Sequence, residues 1–223
     1  MSKHHNDVFR CPFCGQDVPY VMWQSLNTVL DPEAKKQLLE GSLFTAICPK
    51  CNETHNIVYP ILYHDMENSV MIQLAPDEQC EIDFIDFIES AEEKPGFNFI
   101  ADMKKNYTYR IVSDISELRE KALIFSLGLD DRVIEIIKCF SSATFQNKYP
   151  DRKVLDVYFY NDPSYMVRLY IEGNYLVENT FIMDTYSEIS EKLKDDINDN
   201  SKDCYIIDFN WAISVLTGKE IQK

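Results

Sequence analysis

Apolar residues gather in strand-like stretches at 18–23, 43–47, 55–62 and 69–74. Between the first two the punctuation is helical. Asp31 stands at an N-cap, Pro32 at the first helical position and Gly41 just past the end. The pattern predicts a helix over 32–40 with Leu38 and Leu39 turned to the core. Residues 76–106 give no clean period: Ile82, Phe84 and Ile85 alternate with acids, and Pro95-Gly96 marks a turn. The run 107–112 (YTYRIV) predicts another strand.

A helical pair follows. Asp114 and Glu117 have capping-box spacing, Ile115, Leu118, Ala122 and Phe125 make one apolar face, and Gly128 is a stop. Asp130 and Asp131 favour the start of a second helix, with Val133, Ile134, Ile137 and Phe140 facing inward. Strands are predicted at 155–160 and 165–172, then a two-residue turn at Gly173-Asn174 into a strand at 175–182. Ile189, Leu193 and Ile197 form a helical stripe, and a last helix at 209–217 carries Trp211, Val215 and Leu216. The expected architecture is α+β. A β-rich, zinc-ribbon-like N-terminal domain with a helical insertion (1–127) leads through helices into a smaller acidic α+β domain (128–223).

Composition narrows the class. A chain of 223 residues with 45% hydrophobic residues and only 6 Gly suits an ordered protein with a real core. No apolar run approaches the roughly 20 residues that cross a bilayer, and MSKHHNDVFRC lacks the apolar stretch of a signal peptide. The expectation is a soluble, cytoplasmic protein with no membrane partner, in a compartment that keeps thiols reduced. The net charge is -15, most of it beyond residue 75. A phosphate backbone is repelled by such a surface, so nucleic acid is not the expected partner.

The cysteines carry the chemistry. Cys11-Pro12-Phe13-Cys14-Gly15 and Cys48-Pro49-Lys50-Cys51-Asn52 are two matched knuckles. A Cys-x-x-Cys turn aims two sulfurs at one point, and four thiolates make the closed tetrahedral site that zinc prefers. The position after each second cysteine calls for a positive φ, which Gly15 adopts freely and Asn52 tolerates. Cys11, Cys14, Cys48 and Cys51 are therefore the expected ligands of one structural zinc. The 33 residues between Cys14 and Cys48 exceed the usual ribbon spacing of roughly 15–20; the helix at 32–40 accounts for the excess. CPFC alone resembles a redox motif, but such a motif opens a helix, whereas a strand-like stretch follows Cys14. A catalytic zinc would need an open ligand position, which four thiolates close.

Other candidates rank lower. Cys80, Cys139 and Cys204 are isolated and expected to pack as small apolar residues. His4 and His5 are expected in a frayed terminus, and His55, four residues after Cys51, is a reserve ligand. His64 and Asp65 are adjacent on a strand and so point to opposite faces. A turn role for Asp65 and a hydrogen bond for His64 are expected, not shared acid–base work. No phosphate-binding glycine loop, G-x-S-x-G or H-E-x-x-H is present.

CPFCG at 11–15, the Asp31-Pro32 helix start, LLEGSLF at 38–44, CPKCN at 48–52 and YPILYHD at 59–65 together resemble the CpXC family, bacterial and archaeal proteins that take their name from two CPxC motifs. ISELREKALIF at 115–125 and GLDDRVIEIIK at 128–138 extend the resemblance. It implies a metal site at the knuckles and carries over no catalytic residue. The expected role is a non-enzymatic binding or scaffold module engaging another protein; Phe13 and Lys50 at the knuckle tips either form its surface or, in the case of Phe13, pack on the ribbon. The alternatives are a nucleic-acid-binding ribbon and an enzyme using carboxylates in a cleft between the domains.

Overall fold

In the computed structural model, which describes residues 2–90, 106–181 and 183–218, the N-terminus is ordered in a sheet, not frayed. Strand β1 (Lys3–Arg10) pairs antiparallel with β2 (Asp17–Asn27), and the His4 ring packs on Trp23 with centroids 4.5 Å apart. The polar run KHHND hides this strand from a hydrophobicity reading, because Lys3 to Asn6 are exposed on both faces and only Asp7 and Phe9 are partly covered. The chain divides into two compact units, Met1–Ala122 and Leu123–Lys223.

In the first unit, β2 is long enough to serve two partners. Its first part holds β1, and Ser25–Asn27 run parallel to β5 (Ile61–Asp65). The sheet continues through β6 (Val70–Leu74) to β7 (Thr108–Val112), in the order β1-β2-β5-β6-β7. β6 lies between two strands and buries four of its five residues, so it reads as an apolar run, not an alternation.

The crossover from β2 to β5 carries α1 (Pro32–Glu40) and a small hairpin of β3 (Thr45–Ile47) and β4 (Thr54–Asn56). The stretch expected as one strand over 55–62 is thus two strands in two sheets, separated by a segment that includes Pro60. Pro32 begins α1 as its fixed φ favours, and Leu38 is fully buried while Leu39 is half-buried. Asp31 occupies the cap position without a side-chain hydrogen bond. The other end is tightly specified: Gly41 has φ 87°, and the Arg119 guanidinium donates to Leu39 O at 3.0 Å. Residues 78–90, part of the stretch without a clean period, form helix α2 (Glu78–Ser90), with Phe84 and Ile88 buried and the acids exposed or at the margin. The turn expected at Pro95-Gly96 lies outside the described residues.

Helix α3 (Ile115–Ser126) follows β7, and the division between units falls within it. Asp114 caps it, its Oδ1 accepting from Ser116 N and Glu117 N. Glu117 reaches back to Ser113 N at 2.8 Å, one residue beyond the reciprocal bond of a capping box.

In the second unit, α4 (Asp131–Lys148) opens on Asp130, whose side chain accepts from Arg132 N. Residues Val133–Cys139 are buried all round the helix, but after Cys139 only the face of Phe145 stays covered. Phe140 is about 140° from Phe145 around the axis and is exposed, contrary to the inward position expected for it. The helix shares its core with the antiparallel sheet β8 (Val154–Asn161), β9 (Tyr165–Ile171) and β10 (Tyr175–Thr180). The β9–β10 connection has three residues, Glu172 to Asn174, not two, since Ile171 pairs with Tyr175. The stripe Ile189, Leu193, Ile197 survives across a break: α5 (Met183–Lys192) ends and α6 (Lys194–Asn200) begins around Leu193. Helix α7 (Phe209–Thr217), capped by Asp208, buries Trp211 and Val215 in the same core, with Leu216 partly covered.

The chain is therefore mixed α+β, with a β-rich N-terminal region followed by helices. Among the described residues, no helix is long and apolar enough to cross a membrane.

Candidate metal centre

Each knuckle joins the two strands of a hairpin. Cys11–Gln16 connect β1 to β2, and Cys48–Glu53 connect β3 to β4. The two turns repeat one hydrogen-bond pattern. Cys11 N donates to Gln16 O at 2.8 Å and Gly15 N to Cys11 O at 2.9 Å; Cys48 N donates to Glu53 O and Asn52 N to Cys48 O, both at 2.9 Å. The fifth residue closes the turn with φ 70° at Gly15 and φ 60° at Asn52, the left-handed region those residue types tolerate. The local sequence thus dictates each half of the site.

The β2–β5 crossover brings the halves together. All four sulfurs of Cys11, Cys14, Cys48 and Cys51 lie within 4.8 Å of one another. Cys14 Sγ is 3.5 Å from Cys48 Sγ, and Cys11 Sγ is 3.7 Å from Cys51 Sγ. A disulfide needs about 2.05 Å, so none is formed. A tetrahedral thiolate centre with metal–sulfur bonds of about 2.3 Å has sulfur–sulfur edges of about 3.8 Å, close to both contacts. The four cysteines therefore form a donor set that can hold a metal ion. Cys11 and Cys48 are buried, Cys14 and Cys51 partly so. Val18, Ala46, Phe9, Tyr20 and Ile57 pack around them.

The protons of the cluster are shared unevenly. At Cys48, burial raises the thiol pKa, but the backbone N–H groups of Cys51 and Lys50 and the Cys51 and Cys14 side chains bring it down to about 6. At Cys51 the Glu53 N–H lowers it, but burial and the other three thiols carry it up to about 12. At Cys14 the Gln16 N–H lowers it, and burial with the Cys48 thiol turns the balance upward. Without a cation, neighbouring thiolates resist further ionisation; a bound dication removes that restraint and displaces the remaining protons.

His55 belongs to this neighbourhood, although its place in the sequence points only to a reserve ligand. Its Nε2 is 3.4 Å from Cys11 Sγ, in the opposite knuckle from the one it follows. At the surface Phe13 is 72% exposed, and Lys50 is exposed as well.

His64 and Asp65 do not act on one point. His64 Nε2 contacts Tyr107 OH at 3.1 Å, and burial lowers the imidazole pKa. Asp65 is fully buried and holds the β5–β6 turn through Glu67 N and Asn68 N, each at 3.2 Å. Of the isolated cysteines, Cys139 is buried as expected, and burial pushes its thiol pKa up to about 12. Cys80, in the first turn of α2, and Cys204, packed at the edge of the second unit's core, are only half-buried.

No curated protein and no solved structure matches the chain. A family model described as CpXC protein matches residues 9–138, a span that holds both knuckles, the helix between them and strands β2 to β7. That is more than half of the 223 residues, and the chain belongs to the CpXC family.

Proposed function

We propose that the four cysteines hold one structural zinc ion, and that the stapled hairpins form a binding module for another protein, not an active site. The carrying observation is the sulfur set itself, four thiols at tetrahedral spacing on two rigid turns. Four thiolates leave no position for a water or substrate, so such an ion stabilises the fold and does no chemistry. Zinc is the ion chosen because it favours this geometry without redox demands. Phe13, exposed at the tip of the first knuckle, supports the docking role, since a large aromatic ring fixed on a rigid turn suits a protein partner. The net charge of -15 favours a protein over a nucleic acid.

Protein purified without chelators should contain about one zinc per chain, and Cys48→Ser should lose it and unfold the two hairpins. Bound iron, or a metal-free protein of full stability, would overturn the zinc assignment. For the partner, the tagged chain is recovered gently from its native cell beside Phe13→Ser. A protein that binds the unaltered chain, is lost with Phe13→Ser and rebinds from pure components carries the reading. Recovery of nucleic acid instead would replace it.

A further inference from the structure

His55 stands outside the four-sulfur set yet reaches it. The group whose ligand atoms all lie within 4.8 Å of one another contains the four cysteines and not this histidine. Its Nε2 nevertheless comes to 3.4 Å from Cys11 Sγ, within hydrogen-bond reach of a sulfur acceptor. The contact crosses between the two halves of the site. His55 is in β4, paired with Ala46 of the second hairpin, while Cys11 opens the knuckle of the first.

The imidazole is also held in place. Phe9 meets it edge-on, with centroids 5.1 Å apart and planes at 73°, and Phe13 lies at 5.9 Å. Both rings come from the first hairpin, one on each side of Cys11 in sequence. A sulfur bound to a dication keeps lone pairs and excess negative charge. An N–H aimed at it stabilises the thiolate without taking a coordination position, and such outer contacts change metal affinity by roughly 10–100-fold. Donation from Nε2 also selects the tautomer, leaving the lone pair on Nδ1.

We propose that His55 is a positioning residue of the metal centre, whose Nε2–H donates to metal-bound Cys11 Sγ, ties the second hairpin to the first knuckle and slows release of the ion. This rests on the metal reading above and adds to it how the ion's retention is controlled.

The test uses the full chain loaded with ¹¹³Cd and labelled with ¹⁵N. Three forms are compared: unaltered, His55→Phe, which keeps a ring between Phe9 and Phe13 but has no donor, and His55→Gln, which keeps an N–H. All three should give the cadmium resonance of four sulfur ligands. The unaltered chain should show a through-bond coupling between the imidazole Nε2 proton and cadmium. His55→Phe should lose the ion to a competing chelator roughly 10–100-fold more readily, and His55→Gln should recover part of that loss. A cadmium resonance of three sulfurs and one nitrogen in the unaltered chain would make His55 a ligand and overturn the proposal. So would equal release from His55→Phe and the unaltered chain. Equal release leaves the four-cysteine reading standing, a centre of three sulfurs and one nitrogen keeps a metal site but replaces one of its cysteines, and an unaltered chain that binds no cadmium removes both.

Discussion

Asp65→Asn is expected to be among the most costly single-atom changes available in the first unit. The carboxylate is fully buried and accepts from both sides. Oδ1 takes Thr28 Oγ1 at 3.4 Å, Glu67 N at 3.2 Å and Asn68 N at 3.2 Å. Oδ2 takes Lys35 Nζ at 3.1 Å, Tyr63 OH at 3.3 Å and Asn68 Nδ2 at 3.0 Å. One side chain thus ties the end of β2, helix α1 and the β5–β6 turn to the strand that bears it. Asparagine keeps the first oxygen and turns the second into a donor facing three donors. Tyr63 can respond by accepting, and the Asn68 amide by rotating, but Lys35 loses the carboxylate it pairs with. Breaking a buried pair costs about 3–5 kcal/mol. The Lys35 side chain is 19% exposed and finds some water, so about 3 kcal/mol is expected here, a large part of the roughly 5–15 kcal/mol that stabilises a domain. The assay is urea unfolding in saturating zinc on a Trp211→Phe background, so that Trp23 alone reports on the first unit. The pH dependence has a definite sign. Burial raises the Asp65 pKa, but the Asn68 amide and Lys35 outweigh it and hold it below the usual carboxylate value. The unfolded chain then binds the proton more readily, so Asp65 contributes fully above the unfolded value of about 3.9. That contribution is lost as pH falls through the folded value, and the gap between the two proteins should close there. A loss under about 1 kcal/mol at neutral pH, on the scale of one ordinary hydrogen bond, would refute the description of Asp65 as a buried anchor.

Three further outcomes follow from single sites. Gly41→Ala should cost about 2 kcal/mol, from the left-handed backbone and from a Cβ placed 2.9 Å from the Arg119 guanidinium; thermal unfolding of the first unit measures it. Asp130→Ala removes the α4 cap and the acceptor of Arg132, whose Nη2 lies 2.7 Å from Oδ2, and should cost about 1–2 kcal/mol by denaturant midpoint. Phe140→Ser should change stability by less than about 0.5 kcal/mol, while Ile134→Ala, at a fully buried position of the same helix, should cost about 2–5 kcal/mol. Comparable losses in these last two would contradict the emergence of α4 into solvent after Cys139.

What the sequence determined alone was local. Asp130 at a helix start, Pro32 within one and Gly41 after one are legible because caps and stops act on backbone groups a few residues away. The knuckles are legible for the same reason: Gly15 and Asn52 mark turns whose hydrogen bonds all close within six residues. Each half of the cysteine cluster could therefore be named from its own pentapeptide. What only tertiary structure decided was pairing at long range. Strand β1 exists because β2 supplies antiparallel backbone partners to a polar run, and β4 and β5 separate because they join different sheets. Phe140 sits on an apolar stripe but faces solvent, since burial depends on where neighbouring elements end and not on periodicity. The place of His55 belongs to the same class. Its partner is 44 residues away, on the other knuckle, and reaches it only because the β2–β5 crossover folds one hairpin onto the other. Local chemistry sets each half of the site; the chain's path through space sets which side chains meet across it.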